Sequence, residues 1–257
     1  MKKYFAILIA FVPFNFFRLF LYRRLLDYRI VKGAKIAPFT LIIAEHCEIG
    51  KVSIGFLNYI SAKKVNFRDD VRIGKLNRFK WLEEIYVGEG TTIVTGNVAF
   101  GTRPGISPFE GFQKLYLGKD CVITNRHLLD VSDELIIGDN VTIAGEGSQF
   151  WTHGFDLQHV KIQAGIKVGN RVYIGSRCMV LGGAHVANDV VIGAGTTVAR
   201  SIDHSGFYVS SGLVRKSDVP NYTKTDALTD YNGFKFVRRI LPAATQSNIT
   251  ISRDAKL

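Results

Sequence analysis

One histidine lies in a stretch of the chain that could perform acid–base chemistry. His153 lies between Trp151 and Phe155, and Asp156 follows closely. An imidazole has an unperturbed pKa of about 6.5, so it can take a proton near neutral pH once a hydrogen bond to its other nitrogen holds it. His153 is therefore a candidate general base. The local sequence alone also permits a structural histidine in an aromatic loop.

A second chemistry is open to the histidines as a group. His127, His153 and His159 could offer neutral imidazoles to a zinc ion with an open fourth position, as catalytic zinc requires. We treat zinc as a minor alternative and expect no metal. The other histidines have no partners in the sequence and are expected to be solvated: His46, His185 and His204.

An aliphatic residue that returns at every sixth position organises the chain around these candidates. In the most regular stretch it is Val168, Ile174, Val180, Val186, Ile192 and Val198. A period of six is neither helical nor a simple strand alternation, and it is typical of a parallel β-helix whose short strands stack coil on coil. We predict an all-β fold with these side chains inside a narrow prism.

Interruptions of the hexads predict where the chain leaves the coils. Weaker hexads extend back to Ile30, but residues 76–84 are too basic and aromatic for a coil interior, so we expect a loop or a side-chain-rich edge. Residues 101–111 hold two prolines and three glycines, which predicts a loop. The 25 residues from Ile143 to Val168 are not a multiple of six, so a segment containing His153 is extruded. Loops on a rigid scaffold often carry function.

The beginning of the chain is basic and aromatic. Residues 1–35 contain eight lysines and arginines against one aspartate, in a chain of net charge +11. We predict one helix over residues 4–26, interrupted by Pro13, Asn15 and Arg18. An arginine in mid-membrane costs about 2.5–3.5 kcal/mol, so we expect the helix to lie on an anionic membrane surface. A membrane-spanning helix and a helix packed on its own protein are alternatives. No motif supports nucleic-acid binding.

These patterns divide the chain into three parts. We predict a membrane-associating leader over 1–29, a parallel β-helix over 30–216, and a C-terminal extension over 217–257, either packed on the coils or partly disordered. Cys47, Cys121 and Cys178 are odd in number and lack a spacing pattern, which favours a reducing compartment over a disulfide framework. Cys121 and Cys178 fall at small inward positions of the hexads.

Four blocks of the sequence carry a resemblance to a known family. They are Ile137-Gly-Asp-Asn-Val-Thr-Ile143, the Trp-Thr-His-Gly loop, Val172-Tyr-Ile-Gly175 and the run from Val191 to Ile202. They resemble hexapeptide-repeat acetyltransferases, most nearly the maltose/galactoside acetyltransferases and their relatives that modify surface polysaccharides. The resemblance covers about residues 117–216 well, and the leader is also similar to leaders of polysaccharide-modifying members. It implies a left-handed β-helix and a homotrimer that binds acetyl-CoA between adjacent prisms.

The resemblance also implies roles for individual residues. His153 would be the catalytic base, and the acetyl-CoA site would be formed by Ser176, Ala194, Ala199, Arg200 and Arg215. Asn125 and Trp151 would contact the acceptor. Arg200 would bind the nucleotide phosphates, which suit a guanidinium fork. Around Arg215 the family's closing Gly-x-Pro-Ala-Lys is replaced by Ser-Gly-Leu-Val-Arg-Lys.

The implied function is O-acetylation of a sugar hydroxyl in surface-polysaccharide synthesis, on the cytoplasmic face of the inner membrane. An amino-sugar nitrogen is the alternative acceptor within the class. Outside it stand the γ-class carbonic anhydrases, which are also hexapeptide β-helices and hold zinc with three histidines, and a non-catalytic scaffold. The sequence does not identify the sugar.

Overall fold

The computed structural model describes residues 2–210, 229–231 and 234–239. Two short helices come first, α1 (Lys2–Ala10) and α2 (Asn15–Leu25). The strands of the first coils are β1 (Arg29–Ile30), β2 (Lys35–Ile36), β3 (Leu41–Ile49), β4 (Ser53–Ile54), β5 (Tyr59–Phe67), β6 (Arg72–Ile73), β7 (Arg78–Val87), β8 (Thr92–Thr95) and β9 (Val98–Phe100).

The remaining strands continue the same winding, apart from four that lie outside it. In chain order they are β10 (Lys114–Leu117), β11 (Val122–Asn125), β12 (Leu128–Asp130), β13 (Leu135–Ile137), β14 (Thr142–Glu146), β15 (Gln149–Trp151), β16 (His153–Phe155), β17 (Val160–Ala164), β18 (Ile166–Val168), β19 (Tyr173–Ile174), β20 (Met179–Leu181), β21 (His185–Val186), β22 (Val190–Ile192), β23 (Thr197–Val198), β24 (Gly206–Tyr208), β25 (Thr229–Tyr231) and β26 (Phe234–Arg239).

The coils form a prism with three faces of parallel strands. Face 1 is a nine-stranded sheet of β2, β4, β6, β8, β11, β14, β19, β22 and β24. Face 2 contains the first parts of β3, β5 and β7, then β9, β12, β15, β20 and β23. Face 3 contains β1, the second parts of β3, β5 and β7, then β10, β13, β18 and β21. The predicted parallel β-helix is confirmed, and its left-handedness stays a prediction from the resemblance.

The inward hexad position supplies the core, as predicted. On face 1 it is isoleucine in eight successive coils, each at most 2% exposed: Ile36, Ile54, Ile73, Ile93, Ile123, Ile143, Ile174 and Ile192. Burying one such side chain contributes about 1.5–3 kcal/mol, so the column alone is a large part of the driving force for folding. Cys121 and Cys178 are buried inside the coils, as expected, and neither forms a disulfide.

The leader forms two helices instead of the single helix predicted over residues 4–26. The chain breaks between α1 and α2, where Pro13 has no amide to donate to a helical hydrogen bond. Arg18 is 1% exposed, and its guanidinium donates to the carbonyls of Val12 and Ile36. The inner sides of both helices cover the open end of the first coil, with Ile9, Ala10, Leu19, Tyr22 and Leu26 buried in the core. In the described residues, neither these helices nor any other is long and apolar enough for a bilayer crossing.

The loop expected over residues 76–84 is wrong, because β7 runs through it. Lys80 and Trp81 together oppose Ser61 of β5, which makes a β-bulge and places Trp81 at φ 60°. Phe79 and Leu82 on either side of the bulge are buried. The extra residue shifts the inward positions by one, so a strict spacing of six residues does not predict this strand.

Two insertions leave the prism at one edge, where the chain passes from face 2 to face 3. The first is the predicted loop 101–111, which contains no strand. The second is an antiparallel hairpin of β16 and β17. It begins at His153, so Trp151 still belongs to the coil as the end of β15. The backbone of β26 pairs in parallel with β17, so this part of the extension lies against the hairpin instead of the coils.

Candidate functional site

We call the edge between faces 1 and 2 the first edge, and the edge between faces 2 and 3 the second edge. On the second edge, Asp130 is the last residue of β12, and Thr102 and His153 lie two residues beyond β9 and β15, the face-2 strands of the coils before and after it. The extruded hairpin therefore begins beside Asp130, in the next coil. The stacking of the coils brings these residues together although 51 positions separate the first from the last.

His153 and Asp130 form an oriented pair. The His153 Nδ1 atom lies 2.7 Å from Asp130 Oδ2. A carboxylate only accepts hydrogen bonds, so Nδ1 carries the hydrogen and the lone pair is on Nε2. The His153 side chain is 20% exposed and that of Asp130 is fully buried. Within the part of the chain that the structure describes, no protein group bonds Nε2, which leaves it for a substrate proton.

Asp130 is held as an acceptor by donors from two coils. Its Oδ1 accepts from the Ser132 amide at 3.1 Å and the Ser132 hydroxyl at 2.8 Å. Its Oδ2 accepts from the Thr152 hydroxyl and the His153 amide, each at 3.0 Å, besides Nδ1. Held in this way, the carboxylate fixes both the position and the tautomer of the imidazole.

A buried lysine extends this network to the loop and the hairpin. Lys161 Nζ donates to Thr102 Oγ1 at 3.1 Å, and Thr102 Oγ1 donates to Ser132 Oγ at 3.1 Å. Ser132 in turn donates to Asp130, so each hydrogen bond in this series is donated toward the carboxylate. Burial lowers the pKa of Lys161, and the negative charge of Asp130 opposes that shift. The two insertions are thereby tied to the same charged centre.

Aromatic rings flank the imidazole on two sides. The rings of Trp151 and Phe155 lie edge-on to His153, at 6.1 Å and 5.9 Å between centroids. Phe155 is exposed, whereas Trp151 is half-buried and donates from Nε1 to Gln149 Oε1 at 2.9 Å. The expected aromatic surroundings are confirmed. Asp156 is not the partner of His153, because its carboxylate accepts from the amides of the hairpin turn.

Two of the predicted cofactor residues share the second edge with His153. Ala199 and Arg200 follow β23 and are exposed, two coils further along the axis. Two coil spacings amount to about 10 Å. Gly182 lies on the same edge in the coil between them, and a Cβ there would come within 3.2 Å of the Trp151 carbonyl. A side chain at Gly182 would therefore crowd the backbone beside the site.

The other predicted residues lie on the first edge. Asn125 is at the end of β11, Ser176 follows β19 and Ala194 follows β22, so all three mark the same corner in different coils. A single chain therefore does not gather Asn125, Ser176 and Ala194 around His153, because face 2 separates the two edges. Arg215 lies outside the described residues.

Asp130, Ser132, Thr152 and Lys161 were not identified from the sequence. A signal existed, because Leu129 stacks under Phe150 and so sets Asp130 beneath Trp151, two residues before the hairpin begins. The hexad phase, however, was lost after Ile143, and Phe150 was not assigned to the inward column. Without that register the stacked carboxylate could not be placed.

His127 belongs to a polar ladder inside the first edge instead of the site. Its amide donates to Asn97 Oδ1 at 2.9 Å, and Asn97 bonds Asn77 in the same way at 2.9 Å. Above it, the Ser148 amide donates to His127 Nδ1 at 3.1 Å. The hydrogen is therefore on Nε2, which lies 3.0 Å from Thr124 Oγ1. Both ring nitrogens are engaged, which leaves no lone pair for a metal.

We predict that His127 makes the fold acid-sensitive. Burial lowers its pKa from 6.5 to about 4, so the folded chain takes up this proton later than the unfolded chain. Stability is then lost as the pH falls from about 6.5 to about 4, by about 2 kcal/mol between pH 7 and pH 5. His127→Asn keeps an acceptor for Ser148, as at Asn97, and removes this titration. Denaturant midpoints at the two pH values should fall more in the wild type than in His127→Asn, and equal falls would contradict the assignment.

The remaining histidines are distributed over the surface, with one exception. His46 and His204 are exposed, as expected. The expectation that His185 is solvated is wrong, because it is 9% exposed and burial lowers its pKa. Over residues 2–210 and the two short C-terminal segments, no three His, Cys, Asp or Glu side chains are grouped so that they could hold a metal ion.

Comparisons with known proteins agree with the repeat. Residues 159–200 match the family model described as "Bacterial transferase hexapeptide (six repeats)", as the resemblance to hexapeptide-repeat transferases predicted. No curated protein matches the chain. Among solved structures, similarity is found to a maltose O-acetyltransferase from Clostridium difficile 630, with 17% identity, TM-score 0.33, and coverage of 58% of this chain and 64% of that one.

A second solved structure is a histidine-to-alanine mutant of GDP-perosamine N-acetyl transferase from Caulobacter crescentus in complex with CoA and GDP-perosamine. Its identity is 17% and its TM-score 0.24, with coverage of 80% of this chain and 67% of that one. The chain thus spans about two thirds of the length of the solved proteins it matches. The match to the hexapeptide transferase repeat is confined to residues 159–200.

Proposed function

We propose that the chain is an acetyl-CoA-dependent acetyltransferase that acts on a sugar hydroxyl. The observation that carries the proposal is the His153–Asp130 pair at 2.7 Å, with a buried carboxylate and a partly exposed imidazole. Such a pair is suited to removing a proton from an alcohol, and it occurs here in a scaffold with the hexapeptide transferase repeat. The resemblance described above supplies the acetyl donor.

The proposed step transfers the acetyl group directly. His153 Nε2 takes the hydroxyl proton while the sugar oxygen bonds to the thioester carbonyl carbon. The carbon–sulfur bond then breaks, and the imidazolium returns the proton to the departing thiolate. Asp130 stabilises the imidazolium between these events. Backbone amides would hold the oxyanion. No Ser or Cys nucleophile is needed, which agrees with the burial of all three cysteines.

We further propose a homotrimer in which the cofactor lies between neighbouring prisms. One chain would supply the second edge, with His153 and Arg200, and its neighbour the later coils of the first edge, with Ser176 and Ala194. The separation of these edges within one chain supports this arrangement. Sedimentation equilibrium in mild detergent should give three chains. A monomer that still transfers acetyl groups would rule out the shared site.

The experiment that tests the activity is thiol release from acetyl-CoA across nucleotide sugars, lipid-linked glycans and oligosaccharides. We expect release well above hydrolysis with at least one acceptor. The product bond decides between the two acceptor classes, because an O-acetyl ester is cleaved by mild alkali and an N-acetyl amide is not. Stable incorporation would favour an amino-sugar nitrogen, and stoichiometric zinc without thiol release would favour the anhydrase alternative.

We also propose that the enzyme modifies surface polysaccharide precursors while bound to the cytoplasmic face of the inner membrane. The support is the leader, whose outer sides expose Tyr4, Leu8, Phe14 and Phe16 by at least two thirds. Lys2, Lys3, Arg23 and Arg24 surround them. Because the inner sides of α1 and α2 cover the core, membrane binding is better tested by replacing exposed side chains than by removing the helices.

A further inference from the structure

The first edge carries a column of corner residues with an unusual backbone conformation. In each coil, one inward position of this edge belongs to the polar ladder that contains Asn97 and His127. The residue directly before that position has positive φ. In order, the column is Phe39, Leu57, Leu76, Gly96, Arg126, Gly147, Arg177 and Gly195, with φ between 52° and 75°. This left-handed region favours glycine, and a bulky side chain there costs about 1–3 kcal/mol. The later coils use glycine or arginine at the corner, whereas the first three use phenylalanine or leucine.

These three apolar side chains do not contribute to the core. Phe39 is 50% exposed, Leu57 55% and Leu76 48%, and the neighbouring Phe56 is 53% exposed. About half of each side chain still contacts water, so a surface that covered this edge would remove further apolar area from solvent.

The apolar corners are continuous with the outer surface of the helices. The ring of Phe11, just after α1, contacts that of Phe39 edge-on at 5.6 Å between centroids. The Phe39 amide also donates to the carbonyl of Ala10, the last residue of α1. From Phe39 to Leu76 the stripe extends along two coil spacings, about 10 Å of the prism axis. We call Phe39, Phe56, Leu57 and Leu76 the corner stripe.

The charges around the corner stripe are of one sign. Residues 35–42, 53–60 and 72–80, which contain it, hold no Asp or Glu. They hold Lys35, Arg72, Lys75, Arg78 and Lys80. Apolar side chains bordered by basic ones complement the headgroup and acyl boundary of an anionic bilayer. A protein partner would need an acidic rim to complement these charges, whereas the first coils of another copy carry glutamates mixed with lysines and arginines.

We propose that the corner stripe inserts into an anionic membrane together with the outer aromatic side chains of the helices. The stripe adds a second line of contact along the prism, so the first edge faces the membrane in the first three coils, and the contact between prisms proposed above is confined to the later coils that contain Ser176 and Ala194. His153, on the second edge and in a later coil, is then held above the bilayer surface. The inference rests on the proposed membrane association and is independent of acetyl transfer.

Flotation of the full chain with vesicles tests the stripe. Vesicles of equal parts phosphatidylcholine and phosphatidylglycerol should bind the wild type, and phosphatidylcholine alone should bind it much less. Phe39→Asn, Leu57→Asn and Leu76→Asn are combined, because asparagine accepts positive φ and should not harm the fold. The triple variant should lose roughly 10- to 100-fold in vesicle partitioning, since three apolar side chains no longer insert. Its thermal unfolding should match the wild type.

The controls distinguish the stripe from the helices and from an interface between copies. Val122→Asn with Val191→Asn replaces exposed apolar residues elsewhere on face 1 and should leave flotation unchanged. Phe16→Gln on α2 should weaken flotation by itself, since the helices contact the same membrane. If Phe16→Gln weakens flotation and the triple variant does not, the helices bind alone and the stripe is overturned. The triple variant could instead float normally but sediment at a different mass from the wild type. That result would identify the stripe as a contact between copies and would also overturn the proposal.

A labelling measurement gives an independent result. The three native cysteines are buried, so Leu57→Cys provides a single reactive site for an environment-sensitive dye. Lipids brominated in the acyl chain should quench this dye, and a dye at Val191→Cys should not be quenched. Equal quenching at the two positions would contradict a membrane contact confined to the first coils.

Discussion

His153→Ala is expected to slow acetyl transfer at saturating acetyl-CoA by about 10²–10⁴-fold, or about 3–5 kcal/mol of barrier. The reason is that Nε2 carries the lone pair that would accept the hydroxyl proton, and alanine leaves no base in its place. The acetyl-CoA dissociation constant should change little, because the base faces the acceptor. Single-turnover rates and equilibrium binding separate the two quantities.

Two variants serve as controls for this result. His46→Ala removes an exposed histidine of β3 and should keep the wild-type rate. Arg200→Ala should have the opposite effect, weakening acetyl-CoA binding while the saturated rate stays close to normal. His127→Ala is unsuitable as a control, because it would break the ladder inside the first edge. Near-normal turnover of His153→Ala on a good acceptor would refute the base mechanism.

Asp130→Asn is expected to reduce the saturated rate by about 10²–10⁴-fold without unfolding the chain. Both oxygens of Asp130 accept a backbone amide, so the amide nitrogen of asparagine meets a donor at either position. In place of Oδ2 it donates to Nδ1, and the hydrogen moves to Nε2, where a base needs its lone pair. The variant also loses the charge that stabilises the imidazolium.

Asp189→Asn is the matched control, since it removes an exposed carboxylate that pairs with Arg171 at the surface. Its effect on rate and stability should be small, as for most exposed ion pairs. Thermal unfolding must accompany the rates, because Asp130 also receives hydrogen bonds from Thr152 and the His153 amide. A folded Asp130→Asn with the wild-type rate would show that the carboxylate is only structural.

The period of six predicted the coils because each inward residue is set by packing within its own coil. Ile174 and Ile192 are buried one above the other, as the spacing required. Departures from the period were harder to interpret. The bulge at Trp81 adds one residue to β7, and the count then assigned a buried strand to a loop. The loop at residues 101–111 was predicted correctly because prolines and glycines favour loops whatever the register of the coils.

The leader shows why composition alone did not predict its packing. Exposed aromatic residues and flanking charges favoured a membrane surface, and they do lie on the outer sides of α1 and α2. Arg18 was taken as an interruption, yet it folds inward because unpaired carbonyls at Val12 and Ile36 accept its hydrogens. That arrangement depends on the first coil being present, which no local pattern contains.

The candidate site was half predicted for a similar reason. His153 stood out because its loop breaks the repeat, and that signal is local. Asp130 lies 23 residues earlier, and only the stacking of Leu129 under Phe150 brings it to the imidazole. His127 was grouped with His153 by residue type, but the coil sends it inward to Ser148, on a different edge. The residue types suggested the chemistry, and the stacking register of the coils determined which residues lie together in the site.

The measurement that tests the central claim most directly follows a radiolabelled acetyl group from acetyl-CoA. With the wild type and an acceptor found by thiol release, the label should appear on the sugar as an alkali-labile ester. Without acceptor, no label should stay covalently bound to the protein, because the hydroxyl activated by His153 attacks the thioester directly. His153→Ala should transfer label at least about 100-fold more slowly. Label on the protein, or transfer to the sugar at the same rate in both chains, would contradict the account.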